Sequence, residues 1–434
     1  MIETLSIILH FLVITIFCYA PNSLCSLIIG KKNPDIINRL EAGLVFNLFL
    51  LLILSFILRS GSNLIYYFLT IVFLINFLFL LKDLFVNYKF KNLEINFIFL
   101  LLIFLFFIFS IDLSNNLKLG WDAQNYWLAK KLVFTNGGDF FDLKNTPRDD
   151  YPYLGSFIWH IYSKFSLLGY EYFGRLFYLF LFLLSIFSTA SIIKAKAFEK
   201  IILIFILVFL IYKVELFNGY QEILNFSLLI LLTKIFYEIL TEKLPIKKFN
   251  NRFIYLFILI NSIIWIKSES TVLVIIFLFS IILIKEINFK IKILMSLVFI
   301  FLLLIKFYIF SLIDLSHEIQ KGNYEYFKMS NFFNFINFPR TILTLKYIFF
   351  YSLDNMIFPI TMVCLLIMIK YDKKNIFILP FSLMFILGFG FFMAAFLLTS
   401  FPLIFIFSSS KTFFITSPTF LVTFISLDKI LKRS

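Results

Sequence analysis

The chain has 434 residues, of which 61% are hydrophobic and 15% charged, with a mean hydropathy of +0.97. That polar content is too small to coat a water-soluble globule, which excludes a soluble fold, whereas a bilayer accepts apolar side chains on the outside of helices. The net charge of +14 sits in short lysine clusters between apolar runs, which is the pattern of topogenic signals and excludes nucleic acid as the partner.

The abundant phenylalanines share a compositional bias with Leu, Ile, Lys and Asn and carry no catalytic weight. Cys18, Cys25 and Cys364 lie in apolar runs without metal-ligand spacing, and His10, His160 and His317 are scattered. Neither a disulfide framework nor a His/Cys metal site is expected.

In chain order, the first apolar run, 5–29, is too long for a signal-peptide core, lacks a basic leader and reads as a retained span. Runs long enough to cross follow at 40–58, 64–81, 94–111, 172–193, 221–240, 292–313, 346–369, 376–398 and 411–428. Shorter ones at 201–214, 253–266 and 270–285 need tilt or local thinning of the bilayer. Basic clusters around residues 31–39, 82–91, 194–200, 243–252, 285–292, 370–374 and 429–433 are expected on the cytoplasmic side. The expected fold is therefore all-α, a polytopic helix bundle of about 13 spans in the cytoplasmic membrane, with the N-terminus outside and the C-terminus inside.

Each interval between basic clusters holds an even number of spans provided that 153–168 does not cross. With Tyr153, Trp159, His160, Tyr162, Ser163 and Lys164, that segment reads as an amphipathic helix on the outer leaflet; a sixteen-residue span is the alternative. The outer segment 112–171 is then the largest loop and 314–345 the next. The whole chain, 1–434, is one membrane domain: a three-span extension (1–93), a central module (94–313), and the second loop with the last spans (314–434).

The stretch 112–152 departs from its surroundings by its charge. If 122–134 is helical, Asp122 and Tyr126 share a face with Lys130 one turn further, and Trp121 and Trp127 anchor it at the interface. Asp122 as a helix cap is the plainer reading. Asn136-Gly137-Gly138-Asp139 signals a turn, and Pro152 suits the first turn of the following helix. Asp149 and Asp150 suit a divalent cation, an acceptor sugar, or a helix cap. Asp314, His317 and Glu318 have helical spacing and a weak metal-like composition, against a solvated face.

The order Gly120-Trp121-Asp122, Trp127 to Lys130, Asp149-Asp150-Tyr151-Pro152 and Glu171 to Arg175 resembles the GT-C superfamily of membrane glycosyltransferases. The likeness extends loosely to Asn218-Gly219-Tyr220-Gln221-Glu222 and Lys267-Ser268-Glu269. It implies transfer of a sugar from a polyprenyl-phosphate donor to a hydroxyl of a lipid, glycan or protein acceptor, with Asp122 as general base and inversion at the sugar carbon. Substrate contacts are then expected from Trp121, Tyr126, Lys130, Asp149, Asp150, Tyr151, Arg175, Glu222, Lys267, Glu269 and Arg340. Lys411 joins Lys267, Arg175 and Arg340 as a candidate phosphate countercharge, though all four also fit snorkelling anchors. Lys267 and Glu269 fit a mutually neutralising pair as well. A transporter or flippase for lipid-linked saccharides would instead show broken helices, internal repeats and charges at mid-membrane depth. A polysaccharide polymerase or ligase would carry its largest polar loop late in the chain.

Overall fold

The computed structural model describes residues 2–30, 34–57, 63–83, 93–193, 196–241, 251–312 and 338–354, with short helical pieces between 363 and 390. The described residues form helices α1 (Ile2–Phe17), α2 (Asn22–Ile28), α3 (Ile36–Ile57), α4 (Asn63–Lys82), α5 (Leu93–Asn115), α6 (Leu128–Thr135) and α7 (Leu154–Lys164). Then come α8 (Tyr172–Ala190), α9 (Ala197–Ile211), α10 (Glu222–Thr241), α11 (Asn251–Ile266), α12 (Glu269–Ile282), α13 (Phe289–Leu312) and α14 (Phe338–Asp354). Phe and Ile are middling helix formers, so intrinsic propensity does not explain these elements. In a medium without water every backbone N–H and C=O must pair within its own segment, and that requirement selects the helix.

Among the described residues, five helices are long and apolar enough to cross a membrane: α3, α4, α5 over Phe97–Asn115, α8 and α13. The run 5–29 departs from the single expected span, because α1 and α2 are bent by 63° at a short break. Pro21 (φ −66°, ψ 159°) causes it, having no N–H to continue the helix and sitting in extended backbone ahead of α2. Helices α9, α11 and α12 have 15, 16 and 14 residues and are short for a crossing. The expected span 411–428 lies outside the described residues, and 376–398 lies almost wholly outside them.

Every residue of α8 is buried, with α3, α5, α7, α9 and α10 packed around it. By contrast, α4 and α13 leave Leu64, Ile71, Leu78, Leu297, Phe301 and Leu304 exposed, the faces that a lipid environment covers. Long-range contacts fix the direction of each helix. At one end, Glu3 near the start of α1 accepts from Tyr172 at the start of α8 (2.7 Å), and Ser55 near the end of α3 meets Tyr153 (2.8 Å). Tyr212, just after α9, donates to Asp112 near the end of α5 (2.8 Å) at the same end. Segment 116–171 occupies this loop end.

Two charged clusters lie toward the opposite end, the first half-buried and the second buried. Arg39 is paired with Asp83, which also accepts from Tyr19 (2.7 Å), while Arg39 donates to Asn22 (2.5 Å). Further inside, Glu41 of α3 accepts from Lys234 of α10, Ser188 of α8 and Tyr255 of α11 (Tyr255 at 2.6 Å). All four of those side chains are buried, so one carboxylate ties four helices together.

Helix α7 differs from the expected surface helix. Its 11 residues rise about 16 Å, roughly half a hydrocarbon core. Yet residues 154–163 are all buried, enclosed by α3, α6, α8 and α11. The polar tips that suggested a water–lipid boundary are satisfied inside the protein. Tyr162 accepts from Asn47 (2.6 Å), Ser156 donates to the Trp127 carbonyl (3.0 Å) and Trp159 to the Glu171 carbonyl (3.1 Å). His160 bridges Tyr66 (2.9 Å) and Thr135 (3.2 Å).

Burial holds the His160 imidazole neutral, aided by the charges of Lys131 and Lys164, with its pKa down at about 3. Between the free value of about 6.5 and that folded value, the unfolded chain binds a proton that the folded chain refuses. Stability is therefore expected to fall by up to about 1.4 kcal/mol per pH unit as pH drops through that window. Thermal unfolding of the wild type and His160→Gln at pH 7 and pH 5 checks this, since the variant should lose the His160 share of the slope.

Candidate functional site

Asp122 opens the loop-end group. Its backbone is helical (φ −63°, ψ −34°) and its side chain makes no capping bond, so the capping reading does not hold. Residues Ala123–Trp127 form a π turn, closed by the Leu128 N–H on the Ala123 carbonyl. Such turns insert one residue and shift which side chains stack. Trp121 and Tyr126, five apart, now meet edge to face at 5.5 Å, and Tyr126 remains in the field of Asp122.

Lys130, expected one turn further along the face of Asp122 and Tyr126 as a substrate contact, turns inward. Lys130 is fully buried, donates to the Tyr151 carbonyl, and lies 5.6 Å over the Trp127 ring. Trp127, expected as an anchor, is 2% exposed and stacks on Tyr151 at 5.5 Å, whereas Trp121 is 63% exposed.

The turn signal at 136–139 ends α6, with the Gly138 N–H on the Val133 carbonyl (2.9 Å). Asp139 and Asp142 then cap a short 3-10 helix, Phe140–Asn145. Arg148 adopts left-handed backbone (φ 54°), at a cost of about 1–2 kcal/mol for a side chain of this kind. Its guanidinium forks onto Asp150 (3.0 and 2.9 Å) and lies 4.0 Å over the Tyr151 ring, while the Tyr151 N–H returns to the Arg148 carbonyl (3.0 Å). Asp149 accepts from the Asp150 N–H (2.9 Å). Both aspartates are buried and shape this turn, and neither caps α7, whose N-cap is Tyr153. Pro152 also stands just before α7 and not in its first turn.

The opening of α10 docks onto Asp122. The Gly120 N–H donates to the Asn218 carbonyl (2.9 Å). A Cβ on Gly120 would come within 2.2 Å of the Tyr220 ring, so glycine is what lets the ring lie on the chain. The Tyr220 hydroxyl accepts from the Trp121 N–H and stands among Asp122, Glu222 and Lys267. Burial pushes its pKa up, the Asp122 and Glu222 charges add to that, and Trp121 and Lys267 partly offset it.

Arg175, expected as phosphate countercharge, is instead a buried clamp. It pairs with Glu171 (2.9 and 3.1 Å) and donates to the carbonyls of Phe217 (3.0 Å) and Leu117 (3.4 Å), fixing both approaching loops to α8. Lys267 is buried beside Glu222 (2.7 Å) and Glu269 (3.5 Å). Burial opposes its charge, but the two carboxylates more than offset this, and its pKa is raised. Glu222, not Glu269, is its nearer partner.

Arg340 is half-buried in the first turn of α14. Asp314, His317, Glu318 and Lys411 lie outside the described residues. Among the described residues no three His, Cys, Asp or Glu side chains are grouped to hold a metal ion. Two features escaped sequence reasoning. Tyr220 had only its place between Gly219 and Glu222 as a signal. The Glu41–Lys234 pair was visible as two charges inside the apolar runs 40–58 and 221–240.

Comparison with known proteins finds no matching family, no matching curated protein and no matching solved structure.

Proposed function

We propose that this chain is a membrane glycosyltransferase that moves a sugar from a polyprenyl-phosphate donor to an acceptor hydroxyl on the extracytoplasmic face. One observation carries the reading: Asp122, Tyr220, Glu222 and Lys267, from three separate stretches of the sequence, gather at one end of a bundle of apolar helices. A transporter would gather its polar groups near the midplane. The main inner charge cluster, around Glu41, is enclosed by protein partners on three other helices.

The lysine clusters of the sequence support a loop end outside and basic helix ends inside, in the cytoplasmic membrane. Asp122 is half-buried beside exposed Trp121, which supports its lying where a lipid phosphate and a water-borne alcohol meet. Its carboxylate takes the proton of the acceptor hydroxyl as that oxygen bonds to the anomeric carbon. The bond from that carbon to the phosphate oxygen breaks, and the polyprenyl phosphate leaves with the electron pair, inverting the sugar carbon. Lys267 stays protonated, but the two carboxylates beside it offset its charge and leave no net positive field for the phosphate. That role falls to Arg148 at the rim, 24% exposed over Tyr151 and paired with one carboxylate, Asp150, where Lys267 is paired with two.

The test uses purified protein in bilayer nanodiscs with a panel of polyprenyl-phosphate sugars and hydroxyl acceptors. Consumption of one donor, release of polyprenyl phosphate and an inverted product are expected. A product of retained configuration, or movement of an intact lipid-linked sugar across vesicles without transfer, would contradict the proposal.

A further inference from the structure

Of the four tryptophans, Trp127, Trp159 and Trp265 are 2%, 0% and 1% exposed, whereas Trp121, the chain neighbour of Asp122, is 63% exposed. An exposed tryptophan on a membrane protein is commonly an interface anchor, and its surface neighbours are then apolar. Here they are not. Apart from Leu117, the other exposed residues along 115–125 are Asn115, Asn116, Lys118, Gln124 and Asn125. The lipid-facing side of α4, in contrast, exposes mainly apolar residues, Leu64, Phe68, Ile71 and Leu74 among them.

The groups around the Trp121 ring define what it can hold. Asn125 donates its amide N–H to the Trp121 carbonyl (2.8 Å), and Gln124 donates to the Leu119 carbonyl (3.0 Å). With their NH₂ ends turned to the backbone, both exposed side chains present amide oxygens as acceptors, beside the Asp122 carboxylate. Acceptors next to an open aromatic ring suit a ligand with several hydroxyl donors and a flat C–H surface. A pyranose has both: its axial C–H bonds face the negative π cloud while its equatorial hydroxyls donate at the edge. A lipid alcohol brings one hydroxyl and an alkyl chain that this polar surround does not match. A Ser or Thr side chain brings one hydroxyl and no flat face.

Ring contacts run from this end to the phosphate side. Trp121 meets Tyr126 edge to face (5.5 Å), Tyr126 meets Tyr151 in the same way (6.3 Å), and Arg148 lies 4.0 Å over Tyr151. Trp121 and Arg148 thus stand at the two ends of one aromatic rim, with Asp122 at the Trp121 end. Inversion needs the acceptor hydroxyl and the leaving phosphate on opposite sides of the sugar carbon, and this order matches that need.

We propose that Trp121, with Gln124 and Asn125, is the stacking platform for a saccharide acceptor, so that the hydroxyl presented to Asp122 belongs to a sugar ring. This rests on the glycosyltransferase reading and deepens it by naming the acceptor class.

The test follows tryptophan fluorescence in nanodiscs containing polyprenyl phosphate, with acrylamide in the water or brominated acyl chains in the disc as quencher. Because the other three indoles are buried, quenching reports Trp121. Acrylamide is expected to quench and the brominated chains are not, and one member of a panel of neutral oligosaccharides should protect the ring from acrylamide. In calorimetric titration that oligosaccharide should bind about tenfold more weakly to Trp121→Ala, the worth of one strong aromatic contact, and about as well as wild type to Trp121→Phe. Neither variant removes a core side chain. Quenching by the brominated chains and not by acrylamide makes Trp121 a membrane anchor and overturns the proposal. Equal affinity of Trp121→Ala overturns it, as does the absence of protection by any oligosaccharide, whether or not a lipid alcohol or a Ser/Thr peptide protects; donor turnover still decides the transferase reading in each case. Saccharide binding lost in Trp121→Ala, without turnover of any donor, sinks the transferase reading and leaves the platform standing.

Discussion

Asp122→Asn is expected to lower the rate of sugar transfer by about 10²–10⁴-fold, the span that a general base contributes. The substitution is nearly isosteric and leaves the helix start untouched, because Asp122 makes no capping bond there. What changes is the ability to accept a proton. Donor affinity should change little, since the acceptor and not the donor meets this carboxylate. A second signature comes from its neighbours: the Asp122 charge helps raise the Tyr126 and Tyr220 phenols. In the Asn variant both should titrate at lower pH than in wild type. Transfer at the wild-type rate, with the tyrosines shifted, would remove Asp122 from the chemistry.

Lys234→Met should destabilise the protein by about 3–5 kcal/mol, because it leaves the Glu41 carboxylate charged and buried without its cation. Ser188 and Tyr255 still donate to Glu41, but neutral donors do not replace a full opposite charge. Glu41→Gln in the same chain removes the orphaned charge and keeps an acceptor for both donors. The double variant is therefore expected to be more stable than Lys234→Met alone, and close to wild type. Thermal unfolding of the four proteins gives the coupling. Additive losses would show that Glu41 and Lys234 do not act as a pair.

The helical, lipid-facing character of the chain was legible from apolar runs alone, and α3, α4, α5 and α8 fall within a few residues of the expected bounds. Where the reading failed, a local event overrode an average. Pro21 breaks a run whose mean hydropathy is high, because one missing N–H matters more than the apolarity around it. The polar tips of α7 look the same in sequence whether water or Asn47, Tyr66 and the Trp127 carbonyl receive them. Lys130 and Arg175 illustrate the same limit. A cation in a loop suggests a substrate contact, but partners from distant segments took both. The π turn after Asp122 leaves no mark in composition, and it decides that Lys130 faces inward. Asp122, Glu222 and Lys267 were singled out from residue type and position; that Tyr220 stands among them required the fold.

Transfer from a polyprenyl-phosphate donor by Asp122 requires the loop end to face away from the cytoplasm, and the sidedness of one residue tests that directly. Lys118 is exposed four residues before Asp122, and Ser23 is exposed on α2 at the opposite end. Cys18, Cys25 and Cys364 are buried and give a low background. With a membrane-impermeant maleimide on intact cells, Lys118→Cys should label fully and Ser23→Cys only after permeabilisation. Labelling of Ser23→Cys in intact cells, with Lys118→Cys protected, would place Asp122 on the cytoplasmic side and contradict the account.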